Sequence, residues 1–240
     1  MSIVDEILAE INQVVKGKED VVQKVLAAML AEGHILLEDI PGVGKTTLAM
    51  TVAKTMSMEY RRTQFTPDVL PSDILVFSMY NRQTKEFEYK AGSVFCNLFL
   101  ADEINRTSPK TQSALLEVME EGNVTVDGVT RKLPVPFTVI ATENPIGSAG
   151  TQMLPESQLD RFMVCLSMGY PSHENAIEIL KGNASKPLSH VKAVVSQEEF
   201  CRLQQQVTEL LALQYQINPH FLYNTLDAIV WLAEAGEQKK

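Results

Sequence analysis

The sequence predicts an α/β fold in which helices cover both faces of a parallel sheet. Short apolar runs typical of buried strands alternate with amphipathic helices along the chain. A glycine-rich loop at 39–44 separates the first of these runs from a helix. Polar residues follow later apolar runs, at Asp102 and Asn144. Because ligands bind parallel sheets at the carboxyl ends of the strands, these positions also predict the edge that carries the functional site.

Caps and breakers delimit the predicted helices. Ser2 and Asp5 form a capping pair at the start of the first helix, and Gly33 ends the second. Ser108, followed by proline, begins another helix that Gly122 ends. The remaining helices are predicted from the glycine-rich loop to about Ser57, within 154–162 and from His173 to Lys181.

The predicted strands are short and mostly apolar. The run 94–101 is almost entirely apolar, which is typical of a strand covered on both faces. Asp127-Gly128 favours a primed turn within a hairpin. The strands are predicted at 34–38, 60–65, 94–101, 137–142 and 163–166, and the two hairpins at 74–89 and 124–131.

The composition indicates an acidic protein with a substantial core. Of the 240 residues 45% are hydrophobic, and the net charge is −9. Such a surface disfavours nonspecific binding to nucleic acid. The three cysteines form no CxxC pair, so we expect reduced thiols and a cytoplasmic location rather than disulfides or zinc. Because neither a signal peptide nor an apolar run of spanning length is present, we expect no direct membrane insertion.

The stretch 38–47 has the features of a phosphate-binding loop. Gly42 and Gly44 permit a tight turn with inward-facing N–H groups, and the following helix adds the positive end of its dipole. We expect Lys45 to reach the outer phosphates and the Thr46 hydroxyl to bind Mg²⁺. Asp39 stands where the strict motif begins with glycine. The alternative interpretation is a glycine turn before an ordinary helix.

The polar residues at the predicted strand ends suit hydrolysis of a nucleoside triphosphate, which needs charge neutralisation and an aligned water. Asp102 is placed to hold Mg²⁺ through its water shell. Glu103, one residue further, points elsewhere and can polarise the attacking water. Asn144 can orient that water or contact the γ-phosphate. The alternatives are a helix cap for the two carboxylates and a turn before proline for Asn144.

Arg161 follows a glycine-containing loop and lies in a short predicted helix of its own. An arginine in this place can insert into the nucleotide site of a neighbouring subunit as a finger. A surface ion pair with Asp160 or Glu156 is the alternative, and the sequence alone does not decide between the two.

Four runs in this sequence together resemble the MoxR family of AAA+ ATPases. The resemblance extends from about Ile3 to Val207, and the family tolerates a residue other than glycine at the position of Asp39. The matching runs are GHILLEDIPGVGKTTLA at 33–49, LADEINR at 100–106, ATENP at 141–145 and LPESQLDRF at 154–162.

The resemblance implies a five-stranded AAA+ core at 1–182 and a homo-oligomeric ring, usually a hexamer, with ATP between subunits. It implies phosphate and Mg²⁺ binding by the loop, catalysis by Glu103, a sensor role for Asn144 and a finger role for Arg161, with Arg106 as a weaker finger candidate. Val15 and Gly17 would lie against the adenine. The implied phosphate-loop residues are Pro41, Gly42, Val43, Gly44, Lys45, Thr46 and Thr47, and the implied metal residues are Thr46 and Asp102.

The family also implies partners. Its members are thought to remodel protein complexes, often with a von Willebrand factor A-type partner. The stretch 66–94 and the hairpin at Asp127-Gly128 look like the family's inserts that face the ring pore or the client.

The pattern changes in the C-terminal segment, 183–240. Residues 196–200 begin like the helical lid of the family, but after about Val207 the resemblance ends. The run INPHFLYNTLDAIVWLA at 217–233 instead resembles the phosphoacceptor helix of YesM/LytS-type sensor histidine kinases. We therefore expect a truncated or atypical helical segment, in which 208–240 is kinase-like and either natural, fused or frame-shifted. A structural histidine at His220 is favoured, because the chain ends before a kinase ATP domain.

Three functional hypotheses follow from the sequence. The leading one is an ATP-hydrolysing, chaperone-like remodeller of the MoxR type. The second is a regulatory module that binds nucleotide with little turnover, because the lid is incomplete. The third is a histidine-kinase-like phosphoacceptor or dimerisation fragment built on 208–240.

Overall fold

A five-stranded parallel sheet forms the centre of the fold, as predicted. The protein is represented by a computed structural model that describes residues 2–38, 40, 42–83, 85–145, 153–170 and 187–217. The strands of the sheet are β1 (Ile35–Glu38), β2 (Tyr60–Gln64), β5 (Leu98–Asp102), β8 (Thr138–Glu143) and β9 (Val164–Leu166). They lie in the sheet in the order β2-β5-β8-β1-β9. Two separate hairpins are formed by β3 (Val76–Asn81) with β4 (Glu86–Ala91) and by β6 (Asn123–Val126) with β7 (Val129–Lys132).

The central strands are buried on both faces, so their side chains alternate between two hydrophobic cores. Leu98, Leu100 and Ile140 point into the core on one face of the sheet. Phe99 and Val139, which alternate with them, belong to the core on the other face. This explains why these strands appear in the sequence as continuous apolar runs rather than as an apolar–polar alternation.

Helices pack against both faces of this sheet. The seven α-helices of the described residues are α1 (Ile3–Asn12), α2 (Glu19–Leu30), α3 (Lys45–Thr55), α4 (Pro71–Ile74), α5 (Pro109–Glu121), α6 (Glu156–Leu159) and α7 (Gln197–Ile217). Helices α1, α2 and α3 share the first core, and α5 belongs to the second. The predicted capping box of α1 is present, since the Asp5 N–H donates to Ser2 Oγ and the Ser2 N–H donates to Asp5 Oδ2. Ser108 Oγ caps α5 in the predicted way, by accepting from the Thr111 N–H.

One strand begins later than predicted. The apolar run from Val94 was expected to enter the sheet at once, but β5 begins only at Leu98. Val94 and Cys96 are fully buried, yet the Val94 N–H donates to the Ile74 carbonyl instead of joining the sheet. The prediction was wrong here because burial alone does not distinguish a strand from a turn that packs beneath a neighbouring helix. The predicted helix from His173 to Lys181 lies outside the described residues.

Helix α7 begins where the sequence resembles the family's lid, and its first turns pack on the core. Phe200 is fully buried, and Gln204 Nε2 donates to the Met29 carbonyl at 2.8 Å. Further along the predicted apolar stripe Leu210 is exposed, so the stripe leaves the core there. The division of the chain at 182/183 stays a prediction. Within the described ranges, none of the helices combines the length and apolar character that crossing a membrane requires.

Candidate functional site

A cavity of about 380 Å³ lies at the carboxyl edge of the sheet, where the glycine-rich loop faces the end of β5. Its size falls within the range typical of small-molecule sites. The cavity therefore brings together two of the three polar features that the sequence placed at this edge. The described residues that line it are Gly42, Gly44, Lys45, Thr46, Thr47, Arg62, Gln64, Asp102 and Glu103.

The loop depends on glycine for its backbone conformation rather than for space. Gly42 and Gly44 have φ angles of +90° and +99°, in the region that other residues rarely adopt. A Cβ atom at Gly42 would meet no described atom within 4 Å, and one at Gly44 would meet only Met168 Cε at 3.9 Å. Gly44 is the N-cap of α3, so the first N–H groups of this helix have no partner within it. An anion is favoured at this end of the cavity by these donors and by the helix dipole.

Lys45 and Thr46 lie at the start of α3, where both line the cavity. Lys45 is buried to 8% exposure although it carries a charge, which is unusual for lysine. Thr47 also lines the cavity, and its carbonyl accepts from Thr51 Oγ1 at 2.7 Å. Val43 packs against the first core instead. Pro41, expected to contact phosphate, lies outside the described residues, as does Asp39.

Asp102 is held in place from both sides of β5. Thr142, on neighbouring β8, donates its hydroxyl to Asp102 Oδ1 at 2.6 Å. Arg62, on neighbouring β2, donates to Asp102 Oδ2 from Nε at 3.1 Å and from Nη2 at 2.6 Å. The carboxylate is thereby fixed in orientation with its charge balanced inside the cavity wall.

Glu103 occupies a backbone conformation that turns the chain out of the sheet. Its φ and ψ angles are 58° and 51°, a left-handed conformation uncommon for a residue other than glycine. The Thr142 hydroxyl accepts from the Glu103 N–H at 2.8 Å, which supports this turn. The Glu103 side chain lines the cavity and pairs with Arg106, whose Nη1 lies 2.7 Å from Glu103 Oε2. Such outliers cluster at functional sites.

Asn144 is anchored at the end of β8 by a residue that the sequence did not single out. Asn105 Nδ2 donates to the Asn144 carbonyl at 3.0 Å, and the Asn144 N–H donates to Asn105 Oδ1 at 3.4 Å. Asn105 is buried and lies in the 3-10 turn that follows Glu103. These two hydrogen bonds connect the ends of β5 and β8. Asn144 itself is not among the described residues that line the cavity.

Glu143 connects the same strand end to the segment that begins at Met153. It is almost fully buried, and its Oε1 accepts from the Leu154 N–H at 2.8 Å. Burial raises the pKa of its carboxyl, the Leu154 hydrogen bond opposes that rise, and the nearby Glu38 charge adds to it. Glu143 thus connects the Asn144 position to the segment that carries Arg161.

Besides Val43 and Asn144, three more of the predicted site residues lie outside the described cavity lining. Val15 packs into the first core, and Gly17 forms a turn in which its N–H donates to Glu19 Oε1. Arg161 forms an ion pair with Glu120, near the end of α5. The alternative interpretation of Arg161, as a partner of Asp160 or Glu156, therefore named the wrong acidic residue. The next residue, Phe162, belongs to the same hydrophobic core as the buried residues of α5.

Arg62 and Gln64 are the described cavity residues that sequence reasoning missed, and Arg62 is the charged one. Arg62 lies in a strand with no fully buried residue, and no local motif distinguishes it from Arg61. Only the pairing of β2 with β5, in which Gln64 lies opposite Asp102, brings Arg62 near that carboxylate. The sequence offered one signal for Arg62. It is a cation two residues before the end of β2, and another predicted strand, β5, ends in the acidic residue Asp102.

Comparison with protein families places the site in a known context. Residues 34–164 match the model described as "ATPase family associated with various cellular activities (AAA)". This match contains the loop, Asp102, Glu103, Asn144 and Arg161, and it covers more than half of the chain.

Individual proteins agree with this match. The chain is 42% identical over 196 residues to Chaperone MoxR1 of Mycobacterium tuberculosis, covering 82% of this chain and 52% of MoxR1. It is 53% identical over 203 residues to the uncharacterized protein YeaC of Bacillus subtilis, covering 84% of this chain and 63% of YeaC. A crystal structure of a candidate ATPase from Cytophaga hutchinsonii matches with a TM-score of 0.77 and 40% identity, covering 86% of this chain and 63% of the other. The chain thus spans between half and two thirds of the length of these relatives.

The C-terminal segment matches a different family, as the sequence indicated. Residues 208–240 match a histidine kinase model. Part of the chain is 38% identical over 76 residues to sensor histidine kinase YesM of Bacillus subtilis, which is 31% of this chain and 13% of YesM. His220, the candidate phosphoacceptor, lies outside the described residues.

The Thr142 hydroxyl gives a prediction about stability. Thr142→Val removes the donor to Asp102 and the acceptor of the Glu103 N–H, both of which are at least partly buried. We expect the free energy of unfolding to fall by about 1–3 kcal/mol, the usual cost of leaving a buried polar group unpaired. Urea denaturation followed by circular dichroism measures it.

Thr138 supplies the matched control on the same strand. It is buried to 1% exposure, and its hydroxyl has no hydrogen-bond partner within the described parts of the chain. Thr138→Val should leave stability unchanged or raise it. Equal losses in the two variants would show that the Thr142 hydroxyl does not hold the strand ends together.

Proposed function

The chain belongs to the MoxR family of AAA ATPases, and from this premise we propose that it binds ATP with Mg²⁺ and hydrolyses it. One observation carries the proposal: Lys45 and Thr46 share a single cavity with Asp102 and Glu103. Phosphoryl transfer needs phosphate binding, a metal position and an aligned water, and this cavity offers residues for each.

The loop side of the cavity fits a polyphosphate. The N–H groups at the start of α3, which lie at the positive end of the helix dipole, and the Lys45 ammonium are hydrogen-bond donors. They suit the phosphate chain of a nucleotide, with Lys45 at its outer end. Pro41, Gly42, Val43, Gly44 and Thr47 would complete this loop as its backbone frame.

The oxygen ligands that Thr46 and Asp102 bring from the two sides of the cavity fit Mg²⁺. The Thr46 hydroxyl and the Asp102 carboxylate are hard oxygen ligands, and Mg²⁺ is typically held by few protein oxygens, waters and phosphate oxygens. Thr142 presents the Asp102 carboxylate in one fixed orientation. When bound, Mg²⁺ supplies positive charge beside the transferring phosphoryl group. Thr46 and Asp102 would position that charge.

Glu103 is the proposed catalytic base. Its carboxylate lines the cavity from a left-handed backbone position that Thr142 supports. A carboxylate in that place can accept the proton of an attacking water. The Arg106 guanidinium pairs with Oε2 of the same carboxylate, and we propose that this ion pair loosens when Glu103 accepts the proton.

Asn144 and Arg161 are proposed as the sensor and the arginine finger. Asn105 fixes the Asn144 backbone beside the end of β5, which places it one strand away from Asp102. Arg161 lies outside the cavity lining of its own chain, as a residue that acts on the nucleotide of a neighbouring subunit would. The proposal therefore includes a ring, most simply a hexamer. We further propose that the Val15–Gly17 segment contacts the adenine.

The two hairpins are proposed to contact a client protein. They lie against each other, since the Arg131 guanidinium lies 4.0 Å from the centre of the Tyr89 ring. Tyr80 and Val129 are exposed on them. MoxR1 carries the name of a chaperone, and by analogy we propose that this chain remodels partner complexes, with a von Willebrand factor A-type protein among its candidate partners. A cytoplasmic location agrees with that role.

The Glu103–Arg106 ion pair also supports a second candidate function. A base that stays paired with arginine would leave a protein that binds nucleotide with little turnover. The kinase match at 208–240 separately keeps a phosphoacceptor or dimerisation role for that segment as a hypothesis.

Replacement of Lys45 tests nucleotide binding. Lys45→Ala should lower the affinity for Mg·ATP by roughly 10- to 100-fold, because hydrogen bonds to charged groups contribute about 1.5–3 kcal/mol. Isothermal titration calorimetry measures the affinity. Lys54→Ala is the control, since Lys54 lies at the far end of the same helix and donates to the Leu188 carbonyl. Wild-type protein that fails to bind ATP at millimolar concentration would refute the proposed function.

Replacement of Glu103 separates the two candidate functions. Glu103→Gln should retain ATP binding while phosphate release slows by about 100-fold or more, because a general base typically contributes that much. Glu117→Gln, at an exposed position of α5, should behave as wild type. If wild type and Glu103→Gln both remain at the background rate although both bind ATP, the chain is a binding module.

A further inference from the structure

Arg62 brings a second cation into the cavity from the side opposite the loop. Its guanidinium makes two hydrogen bonds to Asp102 Oδ2, and its Nη2 also donates to Gln64 Oε1 at 2.8 Å. The side chain is 44% exposed, so it lies at the wall of the cavity rather than in the core. Among the described residues that line the cavity, Lys45 and Arg62 are the two that carry positive charge.

Both oxygens of the Asp102 carboxylate are already engaged. Oδ1 accepts from Thr142 and Oδ2 accepts from Arg62. The Thr142 contact lies within the sheet and is fully buried, whereas the Arg62 contact opens onto the cavity. The water shell of a metal that approaches Asp102 from the cavity must therefore compete with Arg62 for Oδ2.

A phosphate group offers the displaced guanidinium a matching partner. Arginine presents paired N–H donors that bind phosphate oxygens bidentately. We expect the loop to contact a phosphate chain from the α3 side, while Arg62 lines the cavity on the side of Asp102 and Glu103. The phosphate nearest those two carboxylates is the one that is transferred, which ATP has and ADP lacks.

We propose that Arg62 binds the terminal phosphate of ATP in its own subunit and thereby makes the site prefer ATP to ADP. This inference rests on the proposed function. In the nucleotide-free protein Arg62 neutralises Asp102, and in the ATP complex it exchanges that contact for the terminal phosphate. With ADP the exchange has no partner, so Arg62 remains on Asp102.

The neighbouring Arg61 provides a matched control. Side chains alternate along a strand, so Arg61 projects to the other face of β2. Its guanidinium pairs with Glu59 at 2.8 Å and donates to the Gly92 carbonyl at 3.1 Å. It does not line the cavity. Arg61 and Arg62 therefore share charge, strand and size but differ in access to the nucleotide.

The test compares affinities for Mg·ADP and for a slowly hydrolysed Mg·ATP analogue by calorimetry. We expect Arg62→Ala to weaken analogue binding by roughly tenfold or more, because one charge-assisted contact is lost. ADP binding should weaken by less than about threefold. Arg61→Ala should alter neither affinity. Arg62→Lys can still pair with Asp102, so this variant controls for misfolding caused by an unpaired Asp102. It should lose part of the preference for the ATP analogue over ADP, because a single ammonium lacks the paired donors of arginine.

Three outcomes would overturn the inference. One is an unchanged ratio of the two affinities in Arg62→Ala and Arg62→Lys. Another is that Arg62→Ala changes the Mg²⁺ concentration needed for nucleotide binding but not the ratio of the two affinities. That result would mean that Arg62 acts only as a partner of Asp102. If wild-type protein binds neither nucleotide, the proposed function fails together with this inference, whereas wild-type binding with an unchanged ratio removes this inference only.

Discussion

The Thr142 hydroxyl joins two strand ends, and the arrangement of the cavity depends on it. It donates to the Asp102 carboxylate and accepts from the Glu103 N–H. One hydroxyl can do this only because β5 and β8 are adjacent and parallel, with Ala101 opposite Ala141. Strand β1, which leads into the phosphate loop, pairs with the other side of β8. The order of three central strands thus brings the loop and the carboxylates to the same edge.

The cavity is lined by both positive and negative side chains, although the chain as a whole is acidic. Lys45, Arg62, Asp102 and Glu103 line it together, and both carboxylates have arginine partners. Buried or half-buried charges are costly unless paired, and removing one partner leaves the other uncompensated. Binding of a nucleotide with its metal would rearrange these pairs rather than create them from solvated groups. We therefore expect these two ion pairs to influence which ligand the site favours.

Local patterns in the sequence predicted most of the fold and part of the site. Gly42, Gly44 and Lys45 form a contiguous motif, and Asp102 follows a buried strand, so each was found without knowledge of its neighbours. Arg62 and Asn105 were missed because their importance arises from contacts about 40 residues away along the chain. The partner of Arg161 was misjudged for the same reason, since Glu120 lies on α5. The start of β5 was wrong because the buried residues before it bond to the end of α4.

A crystal structure with Mg²⁺ and a non-hydrolysable ATP analogue would test the nucleotide site most directly. We expect the phosphates on the first N–H groups of α3 and on Lys45, with Mg²⁺ about 2.1 Å from Thr46 Oγ1 and linked to Asp102 through water. An analogue that binds elsewhere and leaves the cavity between Lys45 and Asp102 empty would contradict the assignment of this cavity as the ATP site.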